Sequence, residues 1–271
     1  MIRWLIIFLF PMIIFADSFN DYLKLIQTKN LGPLGNHQQG EIEILIKEPL
    51  IQKAQTDTEK RLLKKGVASK LAEEWSRVGI IAEDSYLYWI RDAVIFPSGI
   101  YGTYDRILWK SCVEGPPGIA IAPIIHKKIL VNLNYRHATR SWEIELPRGI
   151  RNRHETLLKA CERELYEETG YSLKNHLLLG TIAVDSGILS SLVPIVYCHI
   201  EKPTERHSDF SEAISDNIAL TLEELEHALL QGCCTVATPK RTVQAHVRDP
   251  FLAYALLQIK LRRLLSAPLL D

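Results

Sequence analysis

Three glutamates, Glu164, Glu167 and Glu168, stand at spacings i, i+3 and i+4 in a run from Leu157 to Thr169 that contains no proline or glycine. On an α-helix that spacing brings the three carboxylates to one face. Packed together, such groups repel one another and resist losing water unless a cation joins them. Hard oxygens of this kind suit Mg²⁺ or Mn²⁺, ions that keep waters for a phosphate group to displace. The simpler reading is a solvated acidic face with Arg163–Glu167 as an ordinary surface ion pair.

The elements that would position this cluster follow from periodicity and breakers. Leu158, Cys161 and Leu165 form an apolar stripe beside the acidic face, and Gly170 stands where a left-handed helix cap belongs. Strands are expected at Tyr86 to Ile95, Ile119–Ile125, Ile129–Tyr135 and Ser141–Leu146, and as a pair at Gly180–Val184 and Leu192–Ile200. His126-Lys127-Lys128 reads as the turn of a hairpin. Pro194 within its strand suggests an edge position or a bulge. Thr221-x-x-Glu224 is a capping box opening a helix that Gly232 closes, and Asp249-Pro250 opens a last helix to about Leu265. From Thr58 to Val78, Leu63, Val67, Leu71 and Trp75 recur every fourth residue, as on an amphipathic helix. Strands and helices without a strict βαβ rhythm give an α+β class, with mixed sheets packed by helices.

Lys and Arg together number 32, as do Asp and Glu, so no basic excess points to nucleic acid. The first 16 residues differ in kind. Arg3 precedes the apolar run Trp4 to Phe15, and Ala16 is followed by Asp17-Ser18, the layout of a secretory signal. The run is shorter than the roughly 20 residues a membrane span needs. Export to a periplasmic or secreted location is expected if residues 1–16 act as a signal, with no stable membrane insertion after processing; otherwise the location is cytoplasmic. The five cysteines are odd in number, two are adjacent, and none shows a CxxC spacing, so a disulfide framework is not indicated.

The stretch Gly149 to Tyr171 resembles the Nudix box, G-x5-E-x7-R-E-U-x-E-E-x-G-U with U aliphatic. Gly149, Glu155, Arg163, Glu164, Leu165, Glu167, Glu168 and Gly170 fall in place, and Tyr171 departs from the aliphatic last position. From about residue 85 to 265 the chain is similar to Nudix hydrolases, and Tyr135-Arg136 with Trp142 to Gly149 resembles the ADP-ribose pyrophosphatase branch. The expected organisation is a signal at 1–16, an N-terminal helical extension at 17–84 and a Nudix fold at 85–271.

What the resemblance implies is Mg²⁺- or Mn²⁺-dependent cleavage of the diphosphate of ADP-ribose or a related nucleoside diphosphate sugar. Glu164, Glu167 and Glu168 would bind the ions, with the backbone carbonyl of Arg148 as a further ligand. Glu155 and Arg163 would pair to hold loop and helix in register, and Glu145 would support the metal shell. Arg136 would face a substrate phosphate. Ser186 and Gly187, in a loop similar to one near the substrate in that branch, would contact it; a tight turn is the plain alternative. The general base would be an acidic loop residue between Lys202 and Asn217, with Glu212 first, Asp216 second, and Glu205 and Asp209 also open. The partner implied is a small-molecule nucleotide, and the resemblance alone implies a homodimer. Two alternatives stay open: a nucleotide-binding sensor without turnover, and a Nudix enzyme for a different nucleoside diphosphate derivative.

Overall fold

The computed structural model describes residues 18–28, 31–201, 214–239 and 241–265. The expected signal at 1–16 and the loop candidates Glu205, Asp209 and Glu212 lie outside the described residues. The chain divides into two compact units, Met1–Val113 and Glu114–Asp271.

The first unit carries helices α1 (Ser18–Ile26), α2 (Glu48–Lys64) and α3 (Ser69–Ser76). It also carries a four-stranded antiparallel sheet, which extends the unit well past the expected boundary at residue 84. Strand β3 (Leu87–Ile95) pairs along one edge with β4 (Tyr101–Trp109). Its other edge is shared by β2 (Gly79–Glu83) and β1 (Glu43–Ile44). These strands satisfy one another and join no strand of the second unit, which is why residues 85–113 fall with the N-terminal part. The expected amphipathic helix over 58–78 is broken: Gly66 takes φ +86 between α2 and α3, and Leu63, Leu71 and Trp75 are exposed while Ile51, Ala54 and Ala72 are buried. Glycine adopts that left-handed conformation without a Cβ clash, so the chain turns where an alanine would have continued the helix. Buried Asp92 accepts from the Tyr22 hydroxyl at 3.0 Å and pairs with Arg106.

Helix α4 (Lys110–Glu114) leads into the second unit. Its nine-stranded mixed sheet runs β12-β13-β7-β6-β5-β10-β9, with β11 on β6 and β8 on β5. The strands are β5 (Ile119–Ile125), β6 (Lys128–Arg136), β7 (Ser141–Glu145), β8 (Arg148–Gly149), β9 (Ser172–Ile182), β10 (Val193–Glu201), β11 (Ile214–Leu220), β12 (Cys233–Ala237) and β13 (Thr242–His246). The β5–β6 hairpin turns on His126 and Lys127, both left-handed, as a two-residue turn matched to strand twist requires. Strand β9 begins eight residues before the expected start. Its first half, Ser172–Leu179, lacks the simple alternation that marks a half-buried strand. Pro194 lies where β10 pairs with β9 before the parallel ladder to β5 starts at Ile195, so its missing N–H costs that ladder nothing.

Helices cover the two faces of this sheet differently. Helices α6 (Leu222–Gln231) and α7 (Pro250–Leu261) pack over Ile129, Val131, Leu133 and Ile144. Helix α5 (Leu157–Thr169) packs Ala160, Cys161 and Leu165 over Ile119, Ile121, Leu130, Val196 and Cys198 on the other. The caps follow the sequence: Gly170 takes φ 76 after α5, and Thr221 and Glu224 form both halves of the capping box on α6. Burial pushes the Cys161 thiol up to about 12 and raises Cys198 as well, so both behave as core residues.

Asp249 ties α7 to the sheet. Its buried carboxylate accepts from Phe251 and Leu252 at the helix start and from the Leu146 amide at 3.1 Å, and it meets the Arg148 guanidinium at 3.3 Å. Removing it strips a cap and leaves a buried N–H without a partner. Asp249→Ala is therefore expected to destabilise the protein by about 2–4 kcal/mol in urea denaturation, with Asp249→Asn recovering part of the loss.

Candidate active site

The acidic face of α5 turns toward strand β8. Glu164 and Glu168 are buried, at 7% and 6% exposure, whereas the Glu167 side chain is 46% exposed. Gly149 explains how Glu164 reaches its place: a Cβ on residue 149 would stand 1.9–2.0 Å from the Glu164 carboxylate. Only a residue without a side chain lets that carboxylate lie against the strand. The Glu168 Oε2 accepts from the Arg148 amide at 3.2 Å and from Asn132 Nδ2 at 2.7 Å.

Arg163 organises the entry to the helix. Its Nε and Nη2 donate to the two Glu155 oxygens at 3.0 and 2.9 Å, and Nη2 also reaches the Ile150 carbonyl. Its Nη1 bridges Glu164 at 2.8 Å and Glu167 at 3.0 Å. Its hydrogen bond to Glu155 holds that carboxyl below the usual glutamate value of 4.5, and the same contact raises the guanidinium. One guanidinium is thus spread over three carboxylates, and Glu168 adds a fourth held by two uncharged donors. Arg136 also acts on Glu168 at longer range. Carboxylates gathered on one partly desolvated helix face are groups that a divalent cation would stabilise. Among the described residues no three His, Cys, Asp or Glu side chains stand together so as to hold a metal ion. Arg163 bridges two of the glutamates instead. The donors are hard oxygens on one helix beside a glycine strand, the donor type that Mg²⁺ or Mn²⁺ takes.

Beyond the cover of α5, the same sheet face turns polar. On β6, Leu130 lies under the helix, and Asn132, Asn134 and Arg136 follow on that side at alternate positions; on β7 their neighbours are Glu145, Glu143 and Ser141. Arg136 Nε lies 2.8 Å from both Glu145 oxygens, and Arg148 meets Glu145 at 3.1 Å. Burial opposes the charge on Arg136, and the Glu145 carboxylate outweighs it, so the guanidinium stays firmly protonated. Arg136 is thus engaged by a carboxylate, with part of its five-donor fork remaining for an anion. Arg248 binds Glu143 through Nε and Nη2, and Thr139 and Ser141 hydroxyls complete that carboxylate.

The remaining expected residues fall elsewhere. Ser186 and Gly187 form an exposed turn after β9, closed by the Asp185 carboxylate accepting from the Gly187 amide at 3.0 Å. Asp216 sits within β11, not in a loop, and stands opposite Leu133. Directly paired residues project to the same side, so Asp216 faces the α6–α7 side, away from Glu168; this removes it as the second choice of general base. An apolar groove between α6 and α7, lined by Leu229, Leu230, Leu256 and Leu257, also belongs to that opposite side. Sequence reasoning missed Asn132 and Asn217, and it read Asp249 only as a helix start, not as a partner of Arg148. The polar positions 132, 134 and 136, alternating inside an otherwise apolar strand, were the available signal for the first.

Residues 117–231 match the family model described as NUDIX domain. No curated protein is matched by this chain. A solved structure described as "Crystal structure of ADP compounds hydrolase" is similar in fold, with a TM-score of 0.52 and 19% sequence identity, over 70% of this chain and 92% of that one.

Two outcomes follow from the geometry. Gly149→Ala is expected to lower kcat/KM at least tenfold, of the order given by a misplaced catalytic group, while the thermal midpoint of the folded protein changes little. Because Glu155 titrates lower in the folded protein, its contribution is present above the ordinary value of 4.5 and fades as pH falls through the depressed one. Glu155→Gln should therefore cost about 1 kcal/mol at pH 7, the scale of a well-oriented Arg–carboxylate pair, and the gap to wild type should narrow in urea titrations below pH 4.

Proposed function

Because residues 117–231 are a Nudix hydrolase domain, we propose that the protein cleaves the diphosphate linkage of ADP-ribose or a related nucleoside diphosphate sugar with Mg²⁺ or Mn²⁺. The observation that carries this reading is the pair of buried carboxylates on α5, Glu164 and Glu168, against a strand whose glycine makes room for the first of them. The products would be a nucleoside monophosphate and a sugar phosphate, AMP and ribose 5-phosphate in the case of ADP-ribose.

Glu164, Glu167 and Glu168 would hold the cations, with the Arg148 backbone carbonyl beside them. Bound there, divalent ions neutralise charge on the diphosphate oxygens and acidify water. Arg163, fixed by Glu155 and Ile150, keeps the helix start and the preceding loop in register. Arg136 and Arg148 meet at Glu145, where their unused N–H donors can share a substrate phosphate. A carboxylate must take the proton of the attacking water, and Glu212 is the proposed acceptor. Ser186 and Gly187 offer an exposed turn for the sugar end of the substrate.

A sensor without turnover would need no such set of carboxylates, and the two readings separate by activity. With Mg²⁺ present, wild type should convert at least one of a panel of nucleoside diphosphate sugars to two monophosphates resolved by anion-exchange chromatography. Glu168→Gln should lose at least a hundredfold in kcat, as removal of a charge-stabilising group does. Absence of turnover across the whole panel would leave the binding module as the correct reading.

A further inference from the structure

We propose that Asn132 and Asn217 are positioning residues that set the Glu168 carboxylate for cation binding. Glu168 acts in this way only if the α5 glutamates hold cations as proposed above. Asn132 is buried on β6 and gives its Nδ2 to Glu168 Oε2 at 2.7 Å; Asn217 on β11 gives its Nδ2 to Asn132 Oδ1 at 2.7 Å. The two strands are in register at this pair, so both side chains project toward α5.

The direction of the chain is fixed by chemistry. An ionised carboxylate only accepts, so Asn132 must turn its amide NH₂ toward Glu168. Its carbonyl oxygen then faces Asn217, which must donate. Without Asn217 the Asn132 amide is free to flip and aim its oxygen at a carboxylate. With it, Glu168 Oε2 is held in place by two donors, Asn132 and the Arg148 amide. Neither asparagine brings charge, so holding Glu168 in this way adds no positive charge to compete with a cation. A lysine or arginine in the same place would compete with the ion.

The test is Mn²⁺ binding by isothermal titration calorimetry, with thermal midpoints and steady-state kinetics on the same preparations. Asn132→Leu removes the donor at similar volume and should raise the Mn²⁺ dissociation constant by about 10–100-fold, the usual scale for a group supporting a metal ligand, with kcat falling more than KM changes. Asn217→Ala, at a half-buried position, should weaken binding in the same direction, and the double variant should be no worse than Asn132→Leu, as for residues acting in series. If both single variants fold and bind Mn²⁺ as wild type does, the relay is refuted while the proposed function stands. If Asn132→Leu fails to fold, Asn217→Ala decides. Wild type that binds no Mn²⁺, with Glu168→Gln indistinguishable from it, would overturn both readings.

Discussion

A carboxylate taken out of water must find donors or a cation, and that constraint shapes the C-terminal unit more than any apolar contact does. Glu143, Glu145, Glu164, Glu168 and Asp249 are all buried in one unit. Their partners account for much of the local architecture. Asp249 joins the start of α7 to the end of β7, Glu145 gathers Arg136 and Arg148, and Glu143 draws in Arg248 from the segment before α7. The Asp249 and Glu143 pairings tie together segments more than 100 positions apart, so these charges specify where strands and helices meet.

The α5 glutamates differ from the others in how they are compensated. Glu145 and Glu143 each have at least one arginine close by. Glu164 and Glu167 divide one guanidinium with Glu155, and Glu168 leans on an amide side chain and a peptide N–H. Glu143, Glu145 and Asp249 each meet an arginine directly; on α5, Glu164 and Glu167 share Arg163, and Glu168 takes uncharged donors with Arg136 acting on it at longer range. That difference supports the proposed cation site, and residues 117–231, which include the cluster, match the NUDIX domain model.

Apolar packing supplies the frame on which this contrast rests. A single sheet packs one face against α6 and α7 and divides the other between apolar residues under α5 and a buried polar strip. Strand alternation makes both possible from one strand: Leu133 goes to the core while Asn132 and Asn134 go to the site. The first unit solves its own polar burial separately, with Asp92 between Tyr22 and Arg106 and burial raising the Tyr22 hydroxyl.

By itself the sequence determined the local features: helix α5 with its glycine cap, the capping box on α6, the Asp249-Pro250 start of α7, the β5–β6 hairpin, and the face shared by the three glutamates. All depend on residues within a few positions of one another, where spacing and cap chemistry suffice. Tertiary structure decided the rest. Only packing shows that strands β3 and β4 belong with the N-terminal unit, because a strand's partners are not written in its own pattern. Only sheet register brings Asn217 and Asn132 together across 85 positions and turns Asp216 to the far face. Gly149 reads as a box residue in the chain, but its physical reason, room for the Glu164 carboxylate, exists only once the helix lies against the strand. Local chemistry is legible from neighbours in sequence; contacts between distant residues depend on a register and a packing angle that the whole chain sets.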